Sequence, residues 1–316
     1  MRGLGVKRRP SESPAKGTSD GQSAAYPPLA SLEEAITVLF CLVDDTYTLL
    51  NPDGRTHESL KRLSDSEVLR LALFQQLRGI ESERSFLRDA QRFFSHLFPG
   101  VAGMHPSSLH RRVRKLRRFL EPLRRSVLPE LVGDPETLIV DSTLLPVLHP
   151  RQVKQSAVGF EGAAWVRWGP FAVYGVKLHL LCSTNRVPLS YELTAANVAE
   201  VLLVRELLSE AGLEEAGVAR RLFGDLAYRG GTLGEELAEA GVLLATEKAN
   251  RCPPIRQQVE VCFAALKRVF GMDGTLAKTL RGLVTRIAAK VAAYTYGCYI
   301  NRLLGRPQGR IKELWA

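Results

Sequence analysis

Around Pro135 the spacing of apolar residues changes period, and that change restricts the fold more than any other feature of the chain. From Ser31 to about Leu131 apolar positions recur as on long amphipathic helices, without strand-like alternation. Beyond Pro135 strands alternate with helices. Leu138-Ile139-Val140 is a short apolar run ending at Asp141, and Phe171 to Leu181 alternates Val173, Gly175, Lys177 and His179 against Tyr174, Val176, Leu178 and Leu180. Arg186 to Leu193 reads as its hairpin neighbour across Ser183-Thr184-Asn185. Arg221 to Phe223 forms a strand ending at Gly224-Asp225, and Val242 to Ala245 forms the last one. Helices are predicted over Val198 to Ala211, Leu233 to Ala240, Ile255 to Phe270 and Thr279 to about Leu304. The pattern predicts a helical domain over 31–131 and, over 136–316, an α/β sheet with helices packed on it.

A chain of 316 residues, 45% apolar, can hold two such cores. No apolar run reaches the roughly eighteen residues of a bilayer span, and no signal-peptide stretch follows Met1, so a cytoplasmic, nucleoid-associated protein with no membrane contact is expected. Residues 1–30, rich in Pro, Gly and Ser around Lys7-Arg8-Arg9, read as a disordered basic tail. Cys41, Cys182, Cys252, Cys262 and Cys298 are odd in number and never paired as C-x-x-C. They are expected to be small buried hydrophobes, not a disulfide frame or a zinc site. Forty-three Lys and Arg against thirty-three Asp and Glu give a net charge of +10, which favours a polyanionic partner such as nucleic acid, although basic proteins are also often merely soluble.

In the helical half, Ser31 with Glu34 and Ser64 with Glu67 have capping-box spacing. Val68, Leu71 and Leu77 mark a buried stripe that ends near Gly79, a helix-terminating glycine. A helix from Ser82 to Leu97 follows. The next, Pro106 to about Leu120, sets Leu109, Val113, Leu116 and Leu120 on one face and Arg111, Arg112, Arg114, Lys115, Arg117 and Arg118 on the others. A helix–turn–helix followed by such a basic helix suits phosphates. With no Asn or Gln on it to read bases, a solvated cationic face is an equal alternative.

Asp141 and Asp225 each close an apolar strand, where open α/β sheets gather side chains at the ligand-binding edge. Singly, either is the sort of residue that forms a turn or caps a helix. Glu260 lies on the helix from Ile255 to Phe270, in one narrow stripe with Arg256 and Lys267. That stripe flanks the apolar face of Val259, Cys262, Leu266 and Phe270. An Arg256–Glu260 ion pair, contributing about 0.3–0.5 kcal/mol, is the plain alternative. Together, three hard oxygen ligands without His or Cys suit magnesium or manganese. Two such ions can assist phosphoryl transfer, with Arg256 and Lys267 beside them to hold a polyanionic backbone.

The chain resembles the DDE transposases of bacterial insertion sequences, most closely the insertion sequence 982 family. The matching stretches are LIVDST (138 to 143), YGVKLHLLCS (174 to 183), LTAANV (193 to 198), FGDLAYRG (223 to 230), IRQQVEVCFAALKRVFG (255 to 271) and LVTRIAAKVAAYTYGCYINRLLGRPQGRIKEL (283 to 314). Upstream, CLVDDTY (41 to 47), LSDSEV (63 to 68) and HLFPG (96 to 100) extend the likeness to about residues 31 to 316. It implies a ribonuclease-H-like catalytic core preceded by an all-helical DNA-binding domain, with Asp141, Asp225 and Glu260 as catalytic residues and ligands of two Mg (or Mn) ions. Insertion sequence 4 relatives carry a Tyr, Arg, Glu, Lys signature, on which Arg256, Glu260 and Lys267 fall, while Pro253 stands at the Tyr position.

The resemblance further implies cleavage at terminal inverted repeats, strand transfer into target DNA and a homodimer on DNA. Arg256, Lys267 and Lys177, with His179 a lesser candidate, would position terminal DNA, and Arg111, Arg112, Arg114, Lys115 and Arg118 would bind the repeats. The segment from Gly159 to Pro170, with Trp165 and Trp168, follows no motif of the family. An inactive, repurposed DNA-binding protein is the main rival. A glycosidase with paired carboxylates leaves the net charge and the basic stripe without a purpose.

Overall fold

A computed structural model describes residues 32–52, 60–155, 159–213, 218–246 and 254–315. The tail over 1–30, the cap at Ser31, and Cys252 and Pro253 lie outside the described residues. Six helices come first: α1 (Leu32–Leu50), α2 (Asp65–Leu77), α3 (Glu83–Phe93), α4 (Pro106–Leu116), α5 (Leu120–Ser126) and α6 (Leu128–Val132). The capping box of α2 forms as its sequence dictates: the Glu67 N–H donates to the Ser64 hydroxyl, and the Ser64 N–H to the Glu67 carboxylate. Gly79, at a φ of 64°, reverses the chain after α2. The basic helix is shorter than expected, because a 3-10 turn over Arg117–Phe119 separates α4 from α5.

The second half contains β1 (Thr137–Pro146), α7 (Pro150–Gln155), β2 (Ala164–Trp168), β3 (Phe171–Ser183) and β4 (Pro188–Ala195). After these come α8 (Val204–Glu210), β5 (Arg220–Gly224), α9 (Leu233–Glu239), β6 (Val242–Thr246), α10 (Gln257–Arg268) and α11 (Leu280–Leu303). The sheet runs β2-β3-β1-β5-β6, with β4 also on β3. Antiparallel pairing joins β3 to β1, β2 and β4, whereas β5 is parallel to both β1 and β6. The long β3 serves two partners in succession: Phe171 to Gly175 pair with β2, and Val176 to Cys182 with β4. β2 falls in the segment that matched no motif.

One core runs through both halves. It takes Ile36, Leu39, Leu73, Phe74 and Leu123 from the helices, Ile139, Leu145, Leu178 and Leu180 from one sheet face, and Val259, Leu266, Ile287 and Val291 from α10 and α11. Each fully buried Leu or Ile contributes roughly 2 kcal/mol. Every residue of α11 from Ile287 to Asn301 is buried, the pattern of a helix surrounded by protein. No break in this core marks the expected boundary between 131 and 136. The opposite sheet face has its own core, in which Leu138, Val140 and Leu222 meet α8, α9 and Tyr228. Cys182, Cys262 and Cys298 are buried as expected, but Cys41 is exposed. On α1 the inward stripe is Ile36, Leu39, Val43 and Tyr47, and Cys41 falls outside it. Among the described residues no helix is long and apolar enough to cross a membrane.

Candidate active site

The parallel pairing of β1 and β5 sets Leu138 opposite Leu222 and Ile139 opposite Phe223. Carried two residues further, that register places Asp225 beside Asp141 on strands about 4.8 Å apart. Both carboxylates are half-buried. The Ser142 N–H donates to Asp141 Oδ1 at 2.8 Å, and the Ala227 N–H donates to Asp225 Oδ1 at 2.7 Å, where Asp225 caps a 3-10 turn over Leu226–Tyr228. Burial pushes the Asp141 carboxyl up to about 7. The Ser142 N–H and the Arg256 guanidinium oppose that rise, while the charges of Asp225 and Glu200 add to it.

Gly224 makes the turn at this edge possible. A Cβ there would stand 2.8 Å from the Tyr228 ring and 3.3 Å from Val140 Cγ1. The Tyr228 hydroxyl is buried without a hydrogen-bond partner among the described residues. Burial raises its pKa, and the charges of Asp141, Glu200 and Asp225 raise it further.

Arg256 is 4% exposed at the N-cap of α10. Its Nε and Nη1 are buried without acceptors among the described residues, and its charge acts on Asp141 and Tyr228. α10 begins at Gln257 and not at Ile255, and of the stripe expected to flank the apolar face Arg256 is the member that is buried. The Arg256–Glu260 ion pair is absent, and Glu260 is exposed, with no partner among the described residues. It sits one turn along α10 from Arg256, about 6 Å of axial rise. Among the described residues, no three His, Cys, Asp or Glu side chains lie close enough to hold a metal ion, so Asp141, Asp225 and Glu260 are not gathered into one ligand group. Carboxylates without a counter-ion repel one another, and Glu260 has solvent in which to stand off.

Sequence reasoning missed Glu200. It leaves a 3-10 turn over Glu200–Leu203, accepts from the Ser142 hydroxyl at 2.7 Å and pairs with Lys177 at 3.2 Å. Its only sequence signal is its place just after LTAANV. Lys177, expected to meet DNA, is taken up by Glu200 and by the Val198 carbonyl at 3.0 Å. His179 is buried, with Nε2 2.9 Å from the Thr194 hydroxyl. Burial first and the Lys177 charge second bring its pKa down to about 4, so it is neutral. Lys267 Nζ reaches the Leu144 carbonyl and Asp273, both at 3.4 Å.

The cations of α4 divide. Arg112 is drawn inward by Asp65 at 2.5 Å and the Leu63 carbonyl at 2.8 Å, and Arg118 lies over the Phe119 ring at 4.9 Å. Arg111, Arg114 and Lys115 line an open concavity.

A mixed sheet with two aspartates side by side at the carboxyl ends of adjacent parallel strands, flanked by a buried arginine, defines an α/β protein with an acidic ligand-binding edge. Residues 132–296, just over half of the chain, match the family model described as "Transposase DDE domain". The chain belongs to that family. Among solved structures, it is similar to a piggyBac transposase synaptic complex with hairpin DNA, seen by cryo-EM, at 12% identity and a TM-score of 0.41, over 89% of this chain and 79% of that one. It is also similar to a pre-cleavage Mos1 transpososome, seen in a crystal, at 10% identity and a TM-score of 0.25, over 79% and 80%. Neither likeness is close enough to transfer a residue role. No curated protein matches the chain.

Proposed function

We propose that this chain is an insertion-sequence transposase, most similar to the insertion sequence 982 family, that cuts DNA at terminal inverted repeats and joins the freed ends to a target. The observation that carries this reading is the β1–β5 register, which, carried on, sets Asp141 alongside Asp225, with the charge of the buried Arg256 acting on Asp141. The strand order, a hairpin of antiparallel strands continued by two parallel ones, supports a ribonuclease-H-like core.

The donor set fits a hard divalent cation. It consists of carboxylates, and Asp141 is held between charged and neutral by burial and like charges, a conflict that a cation relieves. Asp141, Asp225 and Glu260 would hold magnesium or manganese. When bound, a pair of such ions supplies the polarisation that activates an attacking oxygen and stabilises the leaving one. Arg256 favours the ionised form of the Asp141 carboxyl against its burial. The hydrolytic cut leaves a 3′-hydroxyl, which attacks the target strand by direct transesterification, so no covalent protein–DNA bond forms. Lys267 holds DNA beside the acids, and two chains on DNA serve the two ends.

Asp141→Asn, Asp225→Asn and Glu260→Gln are each expected to abolish magnesium-dependent nicking of repeat-ended DNA while DNA binding persists. Retained nicking in any one of them removes that residue from the set. A second reading, an inactive DNA-binding descendant, is favoured by the free-standing Glu260. Magnesium-dependent nicking by the unaltered protein rules it out.

A further inference from the structure

Many cations of this fold are neutralised by neighbours: Arg112 by Asp65, Arg220 by Asp134, Arg286 by Glu83 and Lys290 by Glu81. Four are not. Arg111, Arg114 and Lys115 from α4 and Arg281 from α11 line one open concavity of about 230 Å³. None of the four pairs with a described carboxylate. Among the described residues, Arg111 donates only to the Ser107 carbonyl and the Ser108 hydroxyl of its own helix, and Arg114 Nε is buried with no acceptor.

Arg281 stands in the first turn of α11. That turn contains no acid, so the partial positive charge of a long helix adds to the four side chains. Like charges brought together without compensation mark a place where an anion completes the arrangement, and bidentate guanidinium forks suit phosphate oxygens.

We propose that this concavity binds a backbone phosphate of duplex DNA and that Arg281, far from α4 in the sequence, is the residue by which α11 completes it. The inference rests on the transposase reading only for the source of the phosphate. It narrows the cationic surface of α4 to one side, since Arg112 and Arg118 face other partners. It also joins α4 to the helix that runs through the core of the catalytic half.

The test measures affinity of the full chain for a short fluorescein-labelled duplex of arbitrary sequence, by anisotropy, across a series of chloride concentrations. Each phosphate contact adds about 0.9 to the slope of log affinity against log salt. Arg281→Ala and Lys115→Ala are each expected to lower that slope by about one, and Arg281→Lys to restore it. Arg302→Ala, at the opposite end of α11 and about 32 Å away by helical rise, is expected to leave it unchanged. Equal slopes for Arg281→Ala and Arg302→Ala, or no binding by the unaltered protein, overturn the proposal. Replacing chloride with inorganic phosphate at equal ionic strength is expected to displace the duplex further, and that excess to shrink in Arg281→Ala. Phosphate displacement that depends on Arg281 while Arg281→Ala leaves the duplex salt slope unchanged would instead mark a free-phosphate site and overturn the DNA assignment. Nicking of repeat-ended DNA at saturation reads the carboxylates separately: lost slope effects with nicking intact overturn the cleft alone, whereas absent nicking with the slope effects present overturns the transposase chemistry alone.

Discussion

Asp141 and Asp225 can stand together because Gly224 puts nothing between the strand and the Tyr228 ring. In Gly224→Ala the new methyl would meet that ring at 2.8 Å with Val140 behind it, so the ring or the strand must move. Overpacking of this kind costs about 1–3 kcal/mol. Urea denaturation should show that loss, and Gly224→Ala combined with Tyr228→Leu should recover part of it. An unchanged midpoint in the single variant would mean that the turn yields freely. The two aspartates were legible in the sequence because each ends an apolar strand, a local signal. Gly224, Glu200 and Arg281 were not, since their roles are set by Tyr228, Ser142 and α4, which only the folded chain brings to them.

Among the elements, α4 is fastened to the start of α2 by one carboxylate. Asp65 accepts from Lys61 at 2.9 Å and from Arg112 at 2.5 Å. Burial pushes the Asp65 carboxyl up, but the bonds and charges of Lys61 and Arg112 outweigh burial and hold it below its ordinary value of 3.8. A carboxyl whose folded pKa is depressed gives stability that is present above the unfolded pKa and lost as pH falls through the folded one. Asp65→Asn should therefore be less stable than the parent at neutral pH, and the gap should close below about pH 3.8. A gap that stays constant down to acid pH would show that charge is not what fastens α4. The cap of α2 was legible because Ser64 and Glu67 carry both halves of it within one turn. β2 was not, because it is an edge strand completed by β3, with Trp165 packed on Tyr174 across the pair at 5.3 Å. The helical wheel set Arg256 and Glu260 on one stripe beside the apolar face. It could not show that Arg256 is buried with its charge acting on Asp141 while Glu260 faces solvent, because that depends on what packs against each turn.

Across the whole molecule, α11 binds the helical half to the sheet, and its one fully buried cation shows how. Lys290 is 0% exposed and donates to Glu81, in the turn between α2 and α3, and to the Phe270 carbonyl beyond α10. Arg286, one turn earlier, reaches the Glu81 carbonyl and the Glu83 carboxylate, both at 3.1 Å, and Glu83 also meets His110 of α4 at 2.9 Å. Burial lowers the Lys290 pKa, and the Glu81 charge works against that shift, so removal of the carboxylate leaves an ammonium with only a carbonyl for company. Breaking one side of such a pair costs about 3–5 kcal/mol, whereas replacing both sides with apolar groups is often nearly neutral. Glu81→Gln should lower the urea midpoint for both halves together, because one apolar core spans them. Lys290→Met with Glu81→Leu should return most of the loss. Separate transitions in Glu81→Gln, with the strands outlasting the helices, would show that the shared core does not make them one cooperative unit. A double variant no better than the single one would show that the network stabilises by more than mutual neutralisation, with Arg286 and Glu83 then carrying the rest.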